Sequence, residues 1–335
     1  MKTAAHIFAV NGKSNSGDFF LGPATKWRFE NIIGEKVSWQ NIDVRKRVTE
    51  EDVSSLNNYD YLVLGGGGLF LPDTNPNKIS CWQWPISINE INKLTPKVYA
   101  MSIGWNHFYN QKITMPDRNS DFCDPSREAI FKENVENLIS KSELFTMRHN
   151  GDCEELKKIV SPDLHEKIKF EFCPVVGYVE HKHKPGFVNK KRYHTFEIKD
   201  DRPNRRYNNK TRQEFYYELL EFIRDLLHDG EEIAVMSHDG SSTFYHFLTG
   251  VGVPFTFLNN TVAKEDRIIE NYSKVKKLYC TAGHSQMTAH ALGLDYYSLI
   301  CHDKLKYFLQ DTGNFTRDKY CLINEKSILK LRGSE

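Results

Sequence analysis

The sequence predicts an α/β protein made of two Rossmann-like, doubly wound domains, residues 1–178 and 179–335. Three observations carry this prediction. The chain has 335 residues, long for one hydrophobic core and enough for two domains of about 150. Short apolar runs alternate with stretches of helical spacing along most of its length, the pattern of a parallel sheet with helices on both faces. The alternation breaks once, over 179–192, where Lys and His surround Pro185-Gly186 and apolar residues are few; it then resumes.

In the first half, Thr3–Val10 reads as a buried strand rather than a signal peptide, because it runs straight into Asn11-Gly12 without a small-residue cleavage site. Asp18–Ile33 follows with apolar residues at Leu21, Ala24, Trp27, Ile32 and Ile33, a helical spacing. Tyr59–Leu64 is a strand leading into four glycines, and Lys97–Ile103 is a strand ending at Gly104. Arg127–Ser140, Glu143–Met147 and Asp152–Val160 read as helix, strand and helix. In the second half, strands are expected at Tyr193–Ile198, Glu232–Ser237, Pro254–Leu258, Lys277–Cys280 and Tyr296–Cys301. Helices are expected at Thr211–His228, Glu265–Ser273, Ser285–Leu292 and from Lys304 to Gln310.

Composition narrows the function classes. Lys plus Arg is 45 against 44 for Asp plus Glu, so no global field favours nucleic acid or an anionic membrane, and any anion site must be local. No run approaches the ~18 apolar residues of a membrane span. The seven cysteines include no CxxC and are odd in number, which reads as single thiols in a reducing compartment. No spacing of His, Cys, Asp and Glu predicts a metal.

Doubly wound domains bind ligands outside the carboxyl ends of their strands, and two in tandem leave a cleft there. The loops after each strand therefore carry the candidate residues. The loop Asn11–Asp18 contains Asn15 and Gly17 but no complete P-loop or GxGxxG pattern. Asp18 is either a helix cap or a base directed at the cleft. Four consecutive glycines, Gly65 to Gly68, each cost about 0.5–1 kcal/mol of backbone entropy, more than a tight turn needs. The reading is close approach of a substrate to bare backbone at Gly66, Gly67 and Gly68. Trp105 either stacks on a sugar face or packs as an ordinary aromatic. Arg148, between a strand and a helix, suits a carboxylate or phosphate, or else a surface ion pair. Arg202, Arg205 and Arg206 form a local cluster that is an anion clamp or a solvated loop. His238, followed by Asp239, is a proton donor, a ligand contact or a structural histidine. The segment Cys280–Met287 places His284 where a strand meets a helix, and the next strand ends near His302 and Lys304. His181, His183 and His194 lie in or beside the polar connection.

Several of these segments, in order, resemble the polysaccharide pyruvyl transferase family. Asn15-Ser16-Gly17-Asp18 is similar to an N-x-G-D near the family's start, and Asp60 with Gly65–Gly68 to its D-x-x-x-x-GGGG strand and loop. Arg148, Asp152 and Leu156 resemble its arginine-bearing strand-to-helix turn. Gly283-His284-Ser285-Gln286-Met287, then His302-Asp303-Lys304 and Phe308-Leu309, resemble an R-G-H-A-Q-M…HDK…FL signature. The resemblance covers about residues 10 to 312 and implies a glycosyltransferase-B-like fold. The implied reaction transfers a pyruvyl group from phosphoenolpyruvate to two hydroxyls of one sugar in a cell-surface polysaccharide precursor, giving a cyclic ketal.

On this reading phosphoenolpyruvate is a co-substrate and no cofactor is needed. The other partner is a sugar or lipid-linked oligosaccharide, neither nucleic acid nor stable membrane insertion is expected, and self-association is compatible. The implied location is the cytoplasm, at times close to the inner face of the membrane. Asp18 is assigned as base and His284 as acid or phosphate contact. Arg148, Arg202, Arg206, Ala282, Gly283, Ser285, Gln286, His302 and Lys304 fall to the donor. Asn15, Gly17, Gly66, Gly67, Gly68, Trp105, His238 and Asp239 fall to the acceptor. One position departs from the pattern: Ala282 stands where the family has Arg. Either the enzyme is disabled, or another arginine (Arg202, Arg205 or Arg206) supplies the charge, or the donor differs. Two rival readings are a glycosyltransferase using a nucleotide sugar, and a glycan-binding relative without catalysis.

Overall fold

The computed structural model of the chain describes residues 1–10, 16–71, 75–107, 125–199, 206–207, 210–238, 243–261 and 264–323, with backbone alone at 16–18 and 125. Asn15, Arg202, Arg205, Asp239 and the side chain of Asp18 therefore lie outside the described residues. The chain divides into two compact units, one holding 1–10, 21–107 and 125–174, the other the start of the first helix up to Phe20 and the chain from Val175 on. Each unit is a Rossmann-like, doubly wound domain.

The first unit has strands β1 (Thr3–Phe8), β2 (Ser38–Asp43), β3 (Tyr61–Phe70), β4 (Lys97–Trp105), β5 (Ser142–Met147) and β6 (Ile168–Phe170). They form one parallel sheet in the order β2-β1-β3-β4-β5-β6. Its helices are α1 (Ser16–Ile33), α2 (Glu50–Leu56), α3 (Ile88–Lys93), α4 (Pro125–Lys141) and α5 (Asn150–Lys157). β1 and β3 are buried along nearly their whole length, as central strands with both faces covered must be. Asp60, a residue of the family resemblance, sits at the amino end of β3. Its carboxylate accepts from the Thr3 amide at 2.8 Å and pairs with Lys2, so it ties β3 to β1 at the end opposite the ligand edge.

The second unit has α6 (Pro174–Lys182), β7 (Tyr193–Glu197), α7 (Arg212–His228), β8 (Glu232–Ser237), α8 (Phe244–Gly250) and β9 (Thr256–Asn259). It continues with α9 (Glu265–Tyr272), β10 (Val275–Cys280), α10 (Gly283–Ala291), β11 (Asp295–Ile300), α11 (Asp303–Asp311) and β12 (Tyr320–Leu322). The parallel order is β12-β11-β10-β7-β8-β9, so strand order reverses between β7 and β10. α7 buries Phe215, Tyr216, Leu219, Leu220, Phe222 and Ile223 as one apolar stripe. Its start is set by a capping box in which Thr211 and Glu214 satisfy each other's backbone amides.

Expectation and structure differ at definite points. β2 was not foreseen: it is an edge strand whose sequence, SWQNID, is half-exposed and lacks an apolar run. β6 and β12 have three residues each, too few to show a period. The polar connection begins later than expected, because α6 buries Val175, Val176, Tyr178 and Val179. His181 lies in α6, and His183, just beyond it, pairs with Glu265. His194 lies within β7, where its ring stacks near Tyr279 and burial lowers its pKa. The six described cysteines are buried. Among the described residues no helix is long and apolar enough to cross a membrane.

Candidate functional site

The first unit gathers polar groups at the carboxyl ends of β3, β4 and β5. Arg148 follows β5, and its amide donates to the Ile103 carbonyl at 3.0 Å. Its side chain is 2% exposed, so the surface ion pair is ruled out. The guanidinium passes over Gly104, where an added Cβ would lie 2.3 Å from Nη2. It donates to Asn106 Oδ1 at 3.3 Å, and Asn106 Nδ2 approaches the Gly68 carbonyl at 3.4 Å. The Arg148 Nε has no hydrogen-bond partner, and no carboxylate of the described residues pairs with the side chain. A buried guanidinium without a counter-charge is costly unless an anion completes it. Nearby, Ser102 holds a left-handed φ of 47° and is pinned by its amide to Thr146 Oγ1 at 2.8 Å. Such strain gathers at functional sites.

One prediction follows from Arg148. The Arg148→Met variant removes an unpaired buried charge and keeps the volume. It is expected to leave stability unchanged or raise it by about 1 kcal/mol, as measured by urea unfolding. A loss of about 2 kcal/mol or more would mark Arg148 as a structural cation instead.

The glycine run is corrected by the structure. Gly65–Gly68 lie inside β3, not in a loop, and close packing accounts for them. An added Cβ at Gly66 or Gly67 would sit 2.9 or 2.8 Å from the Leu21 side chain of α1, and one at Gly68 would overlap Asn106. Gly66 and Gly67 are buried under α1, so the first helix, rather than an acceptor, occupies the space that bare backbone leaves. The Gly66 amide donates to Thr25 Oγ1 at 3.3 Å. Gly17 lies in the first turn of α1. Trp105 is likewise corrected: it is 5% exposed and packs edge-on against Phe70 and Phe131 in the core, leaving no open face for a sugar.

The second unit presents its residues at the point where strand order reverses, which is where doubly wound sheets bind ligands. The ends of β7 and β10 are laced together: the Thr281 amide donates to the Glu197 carbonyl at 3.0 Å, and the Lys199 amide to Thr281 Oγ1 at 2.7 Å. Arg206 is 4% exposed at this edge. Its Nη1 lies 3.3 Å from Cys301 Sγ and 3.5 Å from the Thr281 carbonyl oxygen, the residue before Ala282. The solvated-loop reading therefore does not hold for Arg206.

α10 and α11 both begin here, and neither N-cap, Ala282 or His302, supplies a capping side chain. Their first-turn amides and dipoles favour an anion. The Lys304 stem packs on Gly283, where an added Cβ would meet it at 3.2 Å. His284 is half-buried on the first turn of α10, and His302 and His238 are buried at the ends of β11 and β8. Ser285 and Gln286 turn inward: both are fully buried, Ser285 beside Tyr272 and Gln286 donating to the Leu305 carbonyl at 3.3 Å.

Sequence reading missed Asn106, Thr281, Cys301 and Glu197, a buried acid at the end of β7. Only Glu197 left a signal, a lone charge closing an apolar strand. Among the described residues no group of three His, Cys, Asp or Glu side chains is arranged to hold a metal ion.

No family model matches the chain, and no curated protein does. Solved structures similar to it include an α-glucosyltransferase in complex with UDP and a 13-mer DNA, at 10% identity and TM-score 0.46, covering 99% of this chain and 84% of that one. UDP-GlcNAc 2-epimerase from Neisseria meningitidis, bound to UDP-GlcNAc, is 11% identical with TM-score 0.47, covering 89% and 82%. E. coli heptosyltransferase WaaC with ADP is 9% identical with TM-score 0.41, covering 88% and 86%.

Proposed function

We propose that the chain is a transferase whose second unit holds a small anionic donor, and that the donor is phosphoenolpyruvate, its pyruvyl group passing to two hydroxyls of a sugar. The observation that carries this reading is the Arg206 guanidinium, buried against Thr281 at the start of α10. The resemblance expects an arginine at position 282 of the same turn. Arg206 brings an equivalent charge from another segment, which favours a replaced charge over a disabled enzyme.

The residues suit the chemistry. Phosphoenolpyruvate carries a carboxylate and a phosphate, matched by Arg206, Lys304 and the opening amides of α10 and α11. Two sugar O–H bonds break as both oxygens bond to the central carbon of the enol. One proton ends on the terminal methylene, making it methyl, and the other leaves with inorganic phosphate as the C–O bond to phosphate breaks. His284, half-exposed at the helix start, is the group assigned to exchange a proton at the methylene or phosphate.

The rival is a glycosyltransferase that uses a nucleotide sugar. Titration calorimetry separates the two. Phosphoenolpyruvate is expected to bind, and Arg206→Ala to weaken it by about 10- to 100-fold, the worth of a charge-assisted contact of about 1.5–3 kcal/mol. Arg206→Lys should recover part of the loss. Tight binding of UDP-glucose with none of phosphoenolpyruvate would hand the reading to the rival.

A further inference from the structure

We infer that the first unit carries a second small-molecule pocket, for a ligand with a compact apolar or aromatic body and one anionic group. A cavity of about 280 Å³ opens beside β1 and β2 and under α2. This is near the lower limit of ligand pockets and fits a compact molecule. Its apolar wall is formed by half-buried Ile42 of β2 and Tyr59, both packed against the core cluster that holds Ile7, Leu56 and Trp84. Its rim is cationic, formed by Lys46 and Arg47 from the run Arg45-Lys46-Arg47 after β2.

The two rim cations are not equivalent. Lys46 is neutralised by Asp52 at 2.7 Å. Arg47 pairs with no carboxylate among the described residues and keeps its charge at the mouth. The rim is held in place on both sides. The Val48 amide donates to the Pro85 carbonyl at 3.0 Å, and Thr49 opens α2 with a capping box closed by Asp52. An apolar concavity with a few fixed polar groups is the form a ligand site takes, whereas a packing defect would be dry and uncharged.

The pocket is separate from the anion site at Arg148. In sheet order β5 lies three strands beyond β1, about 14 Å at ~4.8 Å per strand. The inference does not rest on the donor reading. A flat apolar body would lie against the Tyr59 ring and Ile42, and a carboxylate or phosphate would meet Arg47.

The test is calorimetry on the full chain with phenyl phosphate, inorganic phosphate and phenol as probes. Phenyl phosphate is expected to bind at least about tenfold more tightly than either fragment. Arg47→Gln should remove most of that preference and leave phenol unchanged. Ser55→Phe, at an exposed helical position lining the mouth, should abolish all binding while the circular dichroism spectrum and thermal midpoint stay the same. Neither variant should alter phosphoenolpyruvate binding, and excess phosphoenolpyruvate should not displace phenyl phosphate. No phenyl phosphate binding at millimolar concentration overturns the inference. So does binding indifferent to both substitutions, or binding blocked by Ser55→Phe but indifferent to Arg47→Gln.

Discussion

Replacing Gly65 by Ala is expected to cost about 2–6 kcal/mol, the largest effect expected of any single substitution in this chain. Gly65 opens the glycine run of β3 with φ of 115°, a conformation that L side chains rarely adopt. An added Cβ would lie 2.2 Å from the Met101 carbonyl oxygen on β4. That atom is backbone in a paired strand, so it cannot swing aside as a side chain would. The strained φ and the overpacking each contribute about 1–3 kcal/mol. Gly34 is the control. It has φ of 75° at the end of α1 but nothing within 4 Å of an added Cβ, so Gly34→Ala should cost only about 1 kcal/mol. Urea unfolding compares the two directly. If Gly65→Ala does not fold while Gly34→Ala does, the close approach stands; equal and small costs would refute it.

Acid should destabilise the first unit through His6. The ring is fully buried in β1, stacked on Phe8 with centroids 4.1 Å apart. Its Nε2 donates to the Gly65 carbonyl at 2.5 Å, while Nδ1 has no partner and must stay unprotonated. Burial lowers the pKa from 6.5 to about 3. The sign follows from linkage. Between these values the unfolded chain binds a proton that the folded one does not, so stability rises with pH across this window. The contribution is fully present above about 6.5 and is lost as pH falls toward 3. From pH 7 to 4 the loss is about 3 kcal/mol, at 1.36 kcal/mol per unit. His6→Gln keeps an N–H for Gly65 but cannot titrate, so its stability should fall less steeply over the same range. Parallel pH profiles for the two proteins would exclude His6 as the source. The histidine thus fixes the glycine strand as a neutral donor at pH values above about 3.

These two predictions also mark the boundary of what could be read in advance. The alternation of apolar runs and helical stretches is a local property, and it placed most strands and long helices within two or three residues. Strand-end positions for Arg148, His284 and His302 were legible for the same reason, since a polar residue after an apolar run must lie where the run stops. What depended on neighbours far along the chain was not legible. The glycines of β3 looked like a bare surface for substrate, but Leu21 lies over Gly66 and Gly67, and Asn106 lies against Gly68. Trp105 looked like a stacking platform, but it is buried in the core against Phe70 and Phe131. Arg206 was one of three equivalent arginines until sheet order brought it against Thr281, 75 residues away, beside the position where an arginine is missing. The sequence by itself determined two doubly wound α/β units and the strand ends where polar groups gather, because periodicity and turn residues act over a few positions. Only the tertiary structure decided which of those groups are filled by packing and which remain to meet a ligand, because that depends on strand order and on helices laid across the sheet.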